Sequence, residues 1–389
     1  MDLNDYFNPV SLDKPDNNII ADRSVFCRNI SINTPDTPIP DPLGCDIALI
    51  GLPEEDDEVY HDPVLPADRI RNSLYQLFRI SSTLRIADLG NLKTGKTRRD
   101  TYYALRDVSR ELLEKEIIII NFGGTQDLTY GSFLAFESDS QPIGFVSVDS
   151  RLDMGIIEDE IRPDSYLIPI LSRNREALLY YTNLGHQKYF VDQQDLDYLE
   201  QYFYQSIRLG DIRSNLSKTE PFLRDASLVS IDLSAIKQSD APASTRPSPN
   251  GFYSEEICQI CKYSGLSNKI NSFGIYNLAG DGDAGNQTAN LAAQMIWYFI
   301  EGYVQRIVEE PTPASRDYKK FIVNMNSLDH DIVFYKSHQT ERWWCEIPIL
   351  KASGKKPGSL IQSCSQEDYD RACNQEIPDR WWKAYKKLN

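Results

Sequence analysis

The sequence predicts an α/β protein: a three-layer α/β/α domain with a mainly parallel sheet, extended by an N-terminal arm and a C-terminal appendage. Apolar, β-branched segments alternate with segments of helical spacing, which is typical of parallel sheets covered by helices on both faces. Hydrophobic residues make up 41% of the 389 residues, which is enough for a large core. The composition also changes toward both ends of the chain.

Residues 1–44 are rich in Pro, Asp and Asn and predict an extended arm. The first strand is CDIALIGLP, which ends in a turn. The following helix is PADRIRNSLYQLF, because Ile70, Leu74 and Leu77 share one face. The next strand is LRIADLG, the next helix TYYALRDVSRELLEK, which is amphipathic, and then comes the β-branched strand EIIIINFGG.

The second half of the domain continues this alternation. Its predicted elements are, in order, the helix DLTYGSFLAF, the strands IGFVSVDS and SLVSIDLSAI, the helix EEICQICKYSG, the strand INSFGIYNLAG and the long helix NQTANLAAQMIWYFIEGYVQRI. These elements place the α/β domain at residues 45–310. The pair Cys258 and Cys261 is interpreted as two ordinary helix cysteines, because no second pair of ligands lies near it.

The appendage is predicted to span residues 311–389. It carries 13 Lys and Arg against 10 Asp and Glu, whereas the whole chain has a net charge of −16. Four of the five tryptophans, Trp343, Trp344, Trp381 and Trp382, lie in it. We expect these four either to fold back onto the core or a neighbouring subunit, or to bind a partner, because Trp and Arg are enriched at binding hot spots.

The bulk properties exclude several classes of protein. A net charge of −16 repels phosphate backbones, so nucleic acid is not an expected partner. No apolar run is long enough to span a membrane, and the start of the chain lacks the pattern of a secretory signal. Seven cysteines in 389 residues argue against a disulfide framework. A cytoplasmic location is therefore expected.

Polar residues follow three of the predicted strands directly, where sites lie in open parallel sheets. They form the segments Gly123–Asp127, Asp149–Asp153 and Asp232–Ser234. Asp149, Asp153 and Asp232 would offer hard oxygen ligands suited to Mn²⁺ or Mg²⁺.

The same segments resemble the ureohydrolases, the family of arginase, agmatinase and formimidoylglutamase, over roughly residues 45–305. The segments that carry the resemblance are IGLPEEDD…PADRIR, GGTQDLTYGS, SVDSRLDMG, SIDLSAIKQSDAPA and GDAGNQTANLAAQ. The stretch SYLIPIL…TNLGHQKYF is most similar to formimidoylglutamases. The resemblance implies an arginase-like fold, assembly into trimers or hexamers, and a centre of two manganese ions held by six side chains that activates water.

Three of those six positions depart from the family. Gln126 and Arg151 stand where the resemblance implies histidines, and Ser234 replaces a carboxylate. Apart from these six positions, Asn277 stands where a late acid would follow a strand. Only Asp149, Asp153 and Asp232 remain. Arginine is not a metal ligand because it stays protonated. Arg151 is therefore expected to neutralise the three aspartates in place of a metal, and no metal and no catalytic residue are predicted. If any metal binds, the three aspartates would hold Mn²⁺ or Mg²⁺ weakly.

These departures favour a catalytically inactive ureohydrolase-family protein that serves as a scaffold or binding subunit. The expected partners are other proteins or further copies of the chain, as a dimer, trimer or hexamer. The alternative is a formimidoylglutamase-like hydrolase of a formimidoyl or guanidino C–N bond with an altered or single metal site. A third hypothesis is a sensor that keeps the old pocket without turnover.

Overall fold

The structure is a computed structural model, and it describes most of the chain. The described residues are 1–10, 24–54, 64–137, 142–157, 160–173, 177–279, 282–312, 315–328, 330–350 and 358–389. Residues 11–23 of the predicted N-terminal arm lie outside these ranges.

A ten-stranded sheet forms the centre of the described fold. Its strands are β1 (Phe7–Asn8), β2 (Ser31–Ile32), β3 (Ile47–Gly51), β4 (Ile86–Leu92), β5 (Ile118–Phe122), β6 (Ile143–Val148), β7 (Leu178–His186), β8 (Gln205–Arg208), β9 (Leu228–Asp232) and β10 (Ser272–Tyr276). The order is β1-β4-β3-β5-β10-β9-β6-β7-β8, and β2 also pairs with β4. All pairs are parallel except β1 with β4, so the predicted sheet is confirmed.

Helices cover both faces of this sheet. They are α1 (Pro66–Tyr75), α2 (Arg98–Leu113), α3 (Leu128–Leu134), α4 (Leu167–Arg173), α5 (Gln193–Gln201), α6 (Leu209–Ser214), α7 (Glu220–Arg224), α8 (Ser254–Gly265) and α9 (Gln287–Gln305). One apolar cluster joins the sheet to α1, α8 and α9, and another joins it to α2 and α3. The side chains of β5 alternate between them, with Ile118 and Ile120 on one face and Ile119 on the other. The three-layer α/β/α fold is therefore confirmed.

Two strands, β7 and β8, lie in a stretch to which the sequence analysis assigned no element. Strand β8 lies at the end of the sheet, and its residues Gln205–Arg208 are polar and at most partly buried. It therefore lacks the apolar run that would predict a buried strand. Strand β7 mixes apolar and polar residues, so its pattern is less clear than that of β5. Together they extend the sheet beyond the strand that carries Asp149.

The C-terminal residues build a second, antiparallel sheet. Its strands, in order, are β11 (Tyr318–Val323), β12 (Ile332–Ser337), β13 (Trp343–Ile349) and β14 (Gly358–Cys364), followed by α10 (Gln366–Cys373) and α11 (Asp379–Leu388). These elements share an apolar cluster of their own that includes Trp343 and Trp381. The appendage thus has a core separate from that of the large sheet.

A buried ion cluster joins the appendage to the large domain. Asp225, directly after α7, accepts hydrogen bonds from Arg380 of α11 at 2.6 Å and from the backbone and hydroxyl of Ser363 of β14 at 2.9 and 2.8 Å. Lys269, before β10, pairs with the same carboxylate at 2.9 Å. Asp225 is 1% exposed, so this contact anchors the appendage to the domain. No helix among the described residues has the length and apolarity that crossing a membrane would need.

Candidate metal centre

Sheet register brings Asp149 and Asp232 together. Val148, the last residue of β6, pairs with Ile231 of β9. The next residue on each strand is an aspartate, so Asp149 and Asp232 emerge side by side at the carboxyl edge of the sheet. Asp153 reaches the same place from the loop after β6, where its backbone adopts a positive φ of 43°. Non-glycine residues rarely adopt this conformation.

The three aspartates form one compact cluster. One carboxylate oxygen from each lies within 4.8 Å of the others. Their exposed fractions are 2% for Asp149, 9% for Asp153 and 3% for Asp232. The sequence prediction that these residues lie together is therefore matched by the geometry. Hard oxygen atoms at this spacing are suited to Mn²⁺ or Mg²⁺.

Without a cation, this arrangement disfavours the charged carboxylates. Burial, followed by the charges of Asp153 and Asp232, raises the pKa of Asp149 well above its usual range. Burial and then the charge of Asp232 raise the pKa of Asp153 to about 7. Burial also raises the pKa of Asp232. Like charges in a low-dielectric site repel, and a bound cation or a proton relieves that repulsion.

Hydrogen bonds hold the carboxylates in place. The backbone N–H of Arg151 donates to Asp149 at 2.8 Å, and that of Ser234 donates to Asp232 at 2.6 Å. Buried Asn183 of β7 donates to the backbone carbonyl of Arg151 at 3.0 Å. The loop after β6 is thus tied to the neighbouring strand, which orients the cluster in advance.

Gln126, at the implied position of the first histidine, follows β5 and contacts β9, the strand that ends in Asp232. Its backbone N–H donates to the side-chain oxygen of Asn277 at 3.1 Å, and its amide nitrogen donates to Ser230 at 3.2 Å. Its side-chain oxygen Oε1 is buried and has no hydrogen-bond partner among the described residues. Gln126 therefore presents an unused oxygen acceptor, the type of atom that a metal or its water would satisfy.

Arg151 does not occupy the place that the sequence analysis gave it. Its guanidinium carbon lies 3.9 Å from the centre of the Phe190 ring, and it also contacts the hydroxyl of Ser150 at 3.4 Å. Among the described residues, Arg246 forms an ion pair with the cluster, 3.8 Å from Asp153, and is 43% exposed. The charges of Arg246 and then Arg151 act against the rise in the pKa of Asp153 without a direct contact from Arg151. The expected neutralisation of three aspartates by Arg151 is therefore wrong as a direct contact, because the guanidinium stacks on an aromatic ring instead.

We expect Arg151→Ala to lower the free energy of unfolding by only about 0.5–1 kcal/mol, the usual size of an exposed cation–π contact. A buried ion pair that lost one partner would cost about 3–5 kcal/mol. Denaturant unfolding of the purified variant distinguishes these values. Arg246→Ala serves as the comparison, and a loss above about 3 kcal/mol for Arg151→Ala would restore the ion-pair hypothesis.

The four tryptophans proposed for partner binding mostly face the interior of the chain. Trp343 stacks on Tyr369 with ring centres 4.8 Å apart, and the indole N–H of Trp381 donates to the carbonyl of Glu346 at 2.9 Å. Trp344 lies under the guanidinium of Arg224, at 4.4 Å. Only Trp382 is half-buried. In this conformation the chain itself covers three of them, and a role in partner binding stays a prediction.

Arg246 and Asn183 are site residues that the sequence analysis missed. Arg246 follows the segment SIDLSAIKQSDAPA, and an arginine in a polar loop has no sequence pattern that marks it as a site residue. A single Asn within a polar stretch of β7 carries no pattern that separates it from its neighbours. Their roles depend on contacts across the sheet, so local sequence could not reveal them.

Comparison with known proteins relates the chain to one family. The sequence profile of the Arginase family matches residues 46–301. A formimidoylglutamase from Staphylococcus haemolyticus is 26% identical over 244 residues, which is 60% of this chain and 77% of that relative. The chain spans 60% of the length of a formimidoylglutamase from Staphylococcus aureus, at 24% identity over 46% of this chain.

Solved structures share the fold. Formimidoylglutamase from Bacillus subtilis superposes with a TM-score of 0.63 at 19% identity, covering 73% of this chain and 94% of that one. A formiminoglutamase from Trypanosoma cruzi with Mn²⁺ has a TM-score of 0.61 at 18% identity, covering 68% and 95%. At these identities the likeness establishes the fold alone.

These findings correct the expectation that no metal cofactor is involved. That expectation depended on Arg151 supplying the counter-charge, and its guanidinium lies against Phe190 instead. Three buried carboxylates converge within 4.8 Å at this edge of the sheet, and the Trypanosoma cruzi protein of the same fold contains Mn²⁺. The donor set therefore points to a metal cofactor.

Proposed function

Because this chain belongs to the arginase family, we propose that it is a formimidoylglutamase-like hydrolase that cleaves a formimidoyl or guanidino C–N bond with a single divalent metal ion. The observation that carries this proposal is the cluster of Asp149, Asp153 and Asp232. The curated relatives reported above are enzymes named formimidoylglutamase. No described contact specifically favours the scaffold or the sensor hypothesis over this one.

The residues fit one metal ion better than two. Three carboxylates at mutual distances within 4.8 Å provide the hard donors that Mn²⁺ or Mg²⁺ prefers. The unused oxygen of Gln126 is a weaker neutral donor. Arg151 and Ser234 stand where the family resemblance implies a histidine and a carboxylate. The donors that a second ion would need are therefore missing. A single site held by the three aspartates is therefore the form that we propose.

A bound divalent cation would act as a Lewis acid and lower the pKa of water at the site. The chain's own residues keep the carboxylates oriented and shielded from bulk solvent. The backbone N–H groups of Arg151 and Ser234 point the carboxylates of Asp149 and Asp232 into the cluster. Asn277, directly after β10, fixes the backbone at Gln126 after the neighbouring strand β5. This preorganisation favours cation binding over the repulsive metal-free state.

Metal content and turnover test the proposal together. After incubation with Mn²⁺ and dialysis, the protein should retain about one manganese per chain, measured by plasma mass spectrometry. The loaded protein should release glutamate from N-formimidoyl-L-glutamate, or cleave a guanidino compound such as arginine or agmatine, and lose this activity after chelation. Retained manganese without turnover of any of the three compounds would overturn the proposed activity, and absence of retained manganese would overturn the metal site.

Restoring the missing donors should increase metal uptake. We expect the combined variant Gln126→His, Arg151→His and Ser234→Asp to bind more than one Mn²⁺ per chain, because it adds two imidazoles and a carboxylate around the existing aspartates. Arg151→His alone is the control and should stay near one ion. Equal metal content in the two variants would show that these positions do not face the cluster.

A further inference from the structure

A groove lies along the edge of the large sheet, where the appendage faces it. Strand β8 is the last strand at this edge, and among the described strands it pairs only with β7. Its residues Gln205, Ser206 and Ile207 line the groove, and Trp382 of α11 belongs to the lining that the appendage contributes. The volume is about 620 Å³. We call this space the edge groove.

The backbone of β8 presents hydrogen-bonding groups to the edge groove, because an edge strand pairs on one side only. The carbonyl of Tyr204, directly before β8, accepts from the side chain of Lys383 in α11 at 2.9 Å, on the side away from β7. Backbone groups alternate in direction along a strand. The N–H and C=O of Ser206, two residues further on, therefore face the same outer side, where an added strand would use them.

Apolar side chains accompany these backbone groups. Ile207 and Phe222 of the large domain and Trp382 of the appendage all line the edge groove, and each is half-buried. Trp382 is also the tryptophan that the chain itself covers least among the four assigned to partner binding from the sequence. Every second side chain of an added strand would face this apolar lining.

Acidic side chains outnumber basic ones in the edge groove. Five carboxylates and four cationic groups line it. One of the cations, Arg380, already pairs with buried Asp225 at 2.6 Å. Two of the carboxylates, Asp211 and Asp368, form no ion pair within the described ranges. The groove is therefore negative overall and attracts basic groups.

Ion pairs between the large domain and the appendage hold the edge groove in shape. Lys218, before α7, pairs with Glu367 of α10 at 2.8 Å, and Lys383 of α11 pairs with Glu200 of α5 at 2.6 Å. They add to the buried ion cluster at Asp225. Because the groove is formed before a ligand arrives, binding costs less ordering of the protein.

We propose that the edge groove binds an extended, basic segment of another protein, which pairs with β8 as an additional strand. Backbone hydrogen bonds to Ser206 would supply affinity, and lysine or arginine side chains would face Asp211 and Asp368. The volume of about 620 Å³ lies within the roughly 300–1,000 Å³ typical of ligand sites, which often lie between domains. The proposal is independent of the hydrolase activity, since none of the three clustered aspartates lines the groove.

Fluorescence anisotropy with the full chain and a short labelled peptide of alternating lysine and valine tests the proposal. This peptide should bind, whereas a peptide of alternating glutamate and valine should not. A fully N-methylated lysine–valine peptide keeps the charge but donates no backbone hydrogen bond, so it should bind about tenfold more weakly. Equal binding of the N-methylated peptide, or no binding of the lysine–valine peptide, would overturn the proposal.

Variants of the chain locate the bound peptide. Ser206→Pro removes the outward N–H and should weaken binding by about tenfold, because proline is tolerated on the outer side of an edge strand. Asp211→Lys, at an exposed position, places a cation in the groove and gives the same test if Ser206→Pro lowers the melting temperature. Glu341→Gln is the matched control, since this 79% exposed carboxylate does not line the groove, and it should leave binding unchanged. Binding that survives Asp211→Lys would place the peptide elsewhere on the acidic surface and overturn the assignment.

Discussion

The variant Asp232→Asn is expected to lose the rise in melting temperature that Mn²⁺ gives the parent protein. The parent should gain about 2.7 kcal/mol when free Mn²⁺ exceeds its Kd a hundredfold. Asparagine keeps the oxygen that accepts the Ser234 backbone hydrogen bond, so the local fold should persist. It removes one of the three negative charges, and two carboxylates with a neutral amide should hold the ion much more weakly.

Without metal, Asp232→Asn should not lower the stability of the protein. Asp232 lies with Asp149 and Asp153 in a cluster whose oxygens are within 4.8 Å of one another, so its neutralisation relieves repulsion. We expect metal-free Asp232→Asn to be at least as stable as the metal-free parent. Thermal unfolding with chelator and with Mn²⁺ measures both effects. Asp107→Asn, at a 40% exposed carboxylate, is the control and should retain the full metal response. An undiminished response in Asp232→Asn would place the metal elsewhere.

Loss of the Asp225 charge should destabilise the contact between the appendage and the large domain by about 3–5 kcal/mol, the usual cost of leaving a buried charge without its partner. Asp225→Asn leaves Arg380, which is 6% exposed, without its counter-charge at 2.6 Å. Denaturant unfolding gives the loss of stability. Limited proteolysis should also cleave the appendage faster in this variant.

Matched substitutions sharpen this test. Glu376→Gln removes a partner of Arg371 within the appendage, at a 64% exposed carboxylate, and should cost less than about 1 kcal/mol. Adding Arg380→Leu to Asp225→Asn should recover part of the loss, because the uncompensated guanidinium is gone. If Asp225→Asn is as stable as the parent, the ion cluster does not hold the appendage in place.

The stability of the folded protein should also depend on pH through Asp225. Burial alone would raise its pKa, but the charges of Lys269 and Arg380 outweigh burial and lower it below the usual range. A carboxyl with a lowered folded-state pKa stabilises the fold above its unfolded pKa of about 3.9. That stabilisation is lost as the pH falls toward the lower folded value. The parent should therefore lose stability below about pH 4 more steeply than Asp225→Asn.

The sequence by itself determined the type of fold, the family and the position of two of the three carboxylates. Strands such as Ile118–Phe122 are so apolar and β-branched that only burial on both faces suits them. Asp149 directly follows a strand of this kind and Asp232 is the last residue of another, and parallel strands end at one edge of the sheet. Their proximity therefore follows from local pattern and chain direction.

The tertiary structure alone decided how the side chains around them are used. Arg151 turns to Phe190, and Asp153 reaches the cluster through a positive φ, neither of which a residue type predicts. Asp225 meets Arg380 across two separate cores. Each of these depends on groups far apart in the chain, because the direction of a side chain is set by what packs against it.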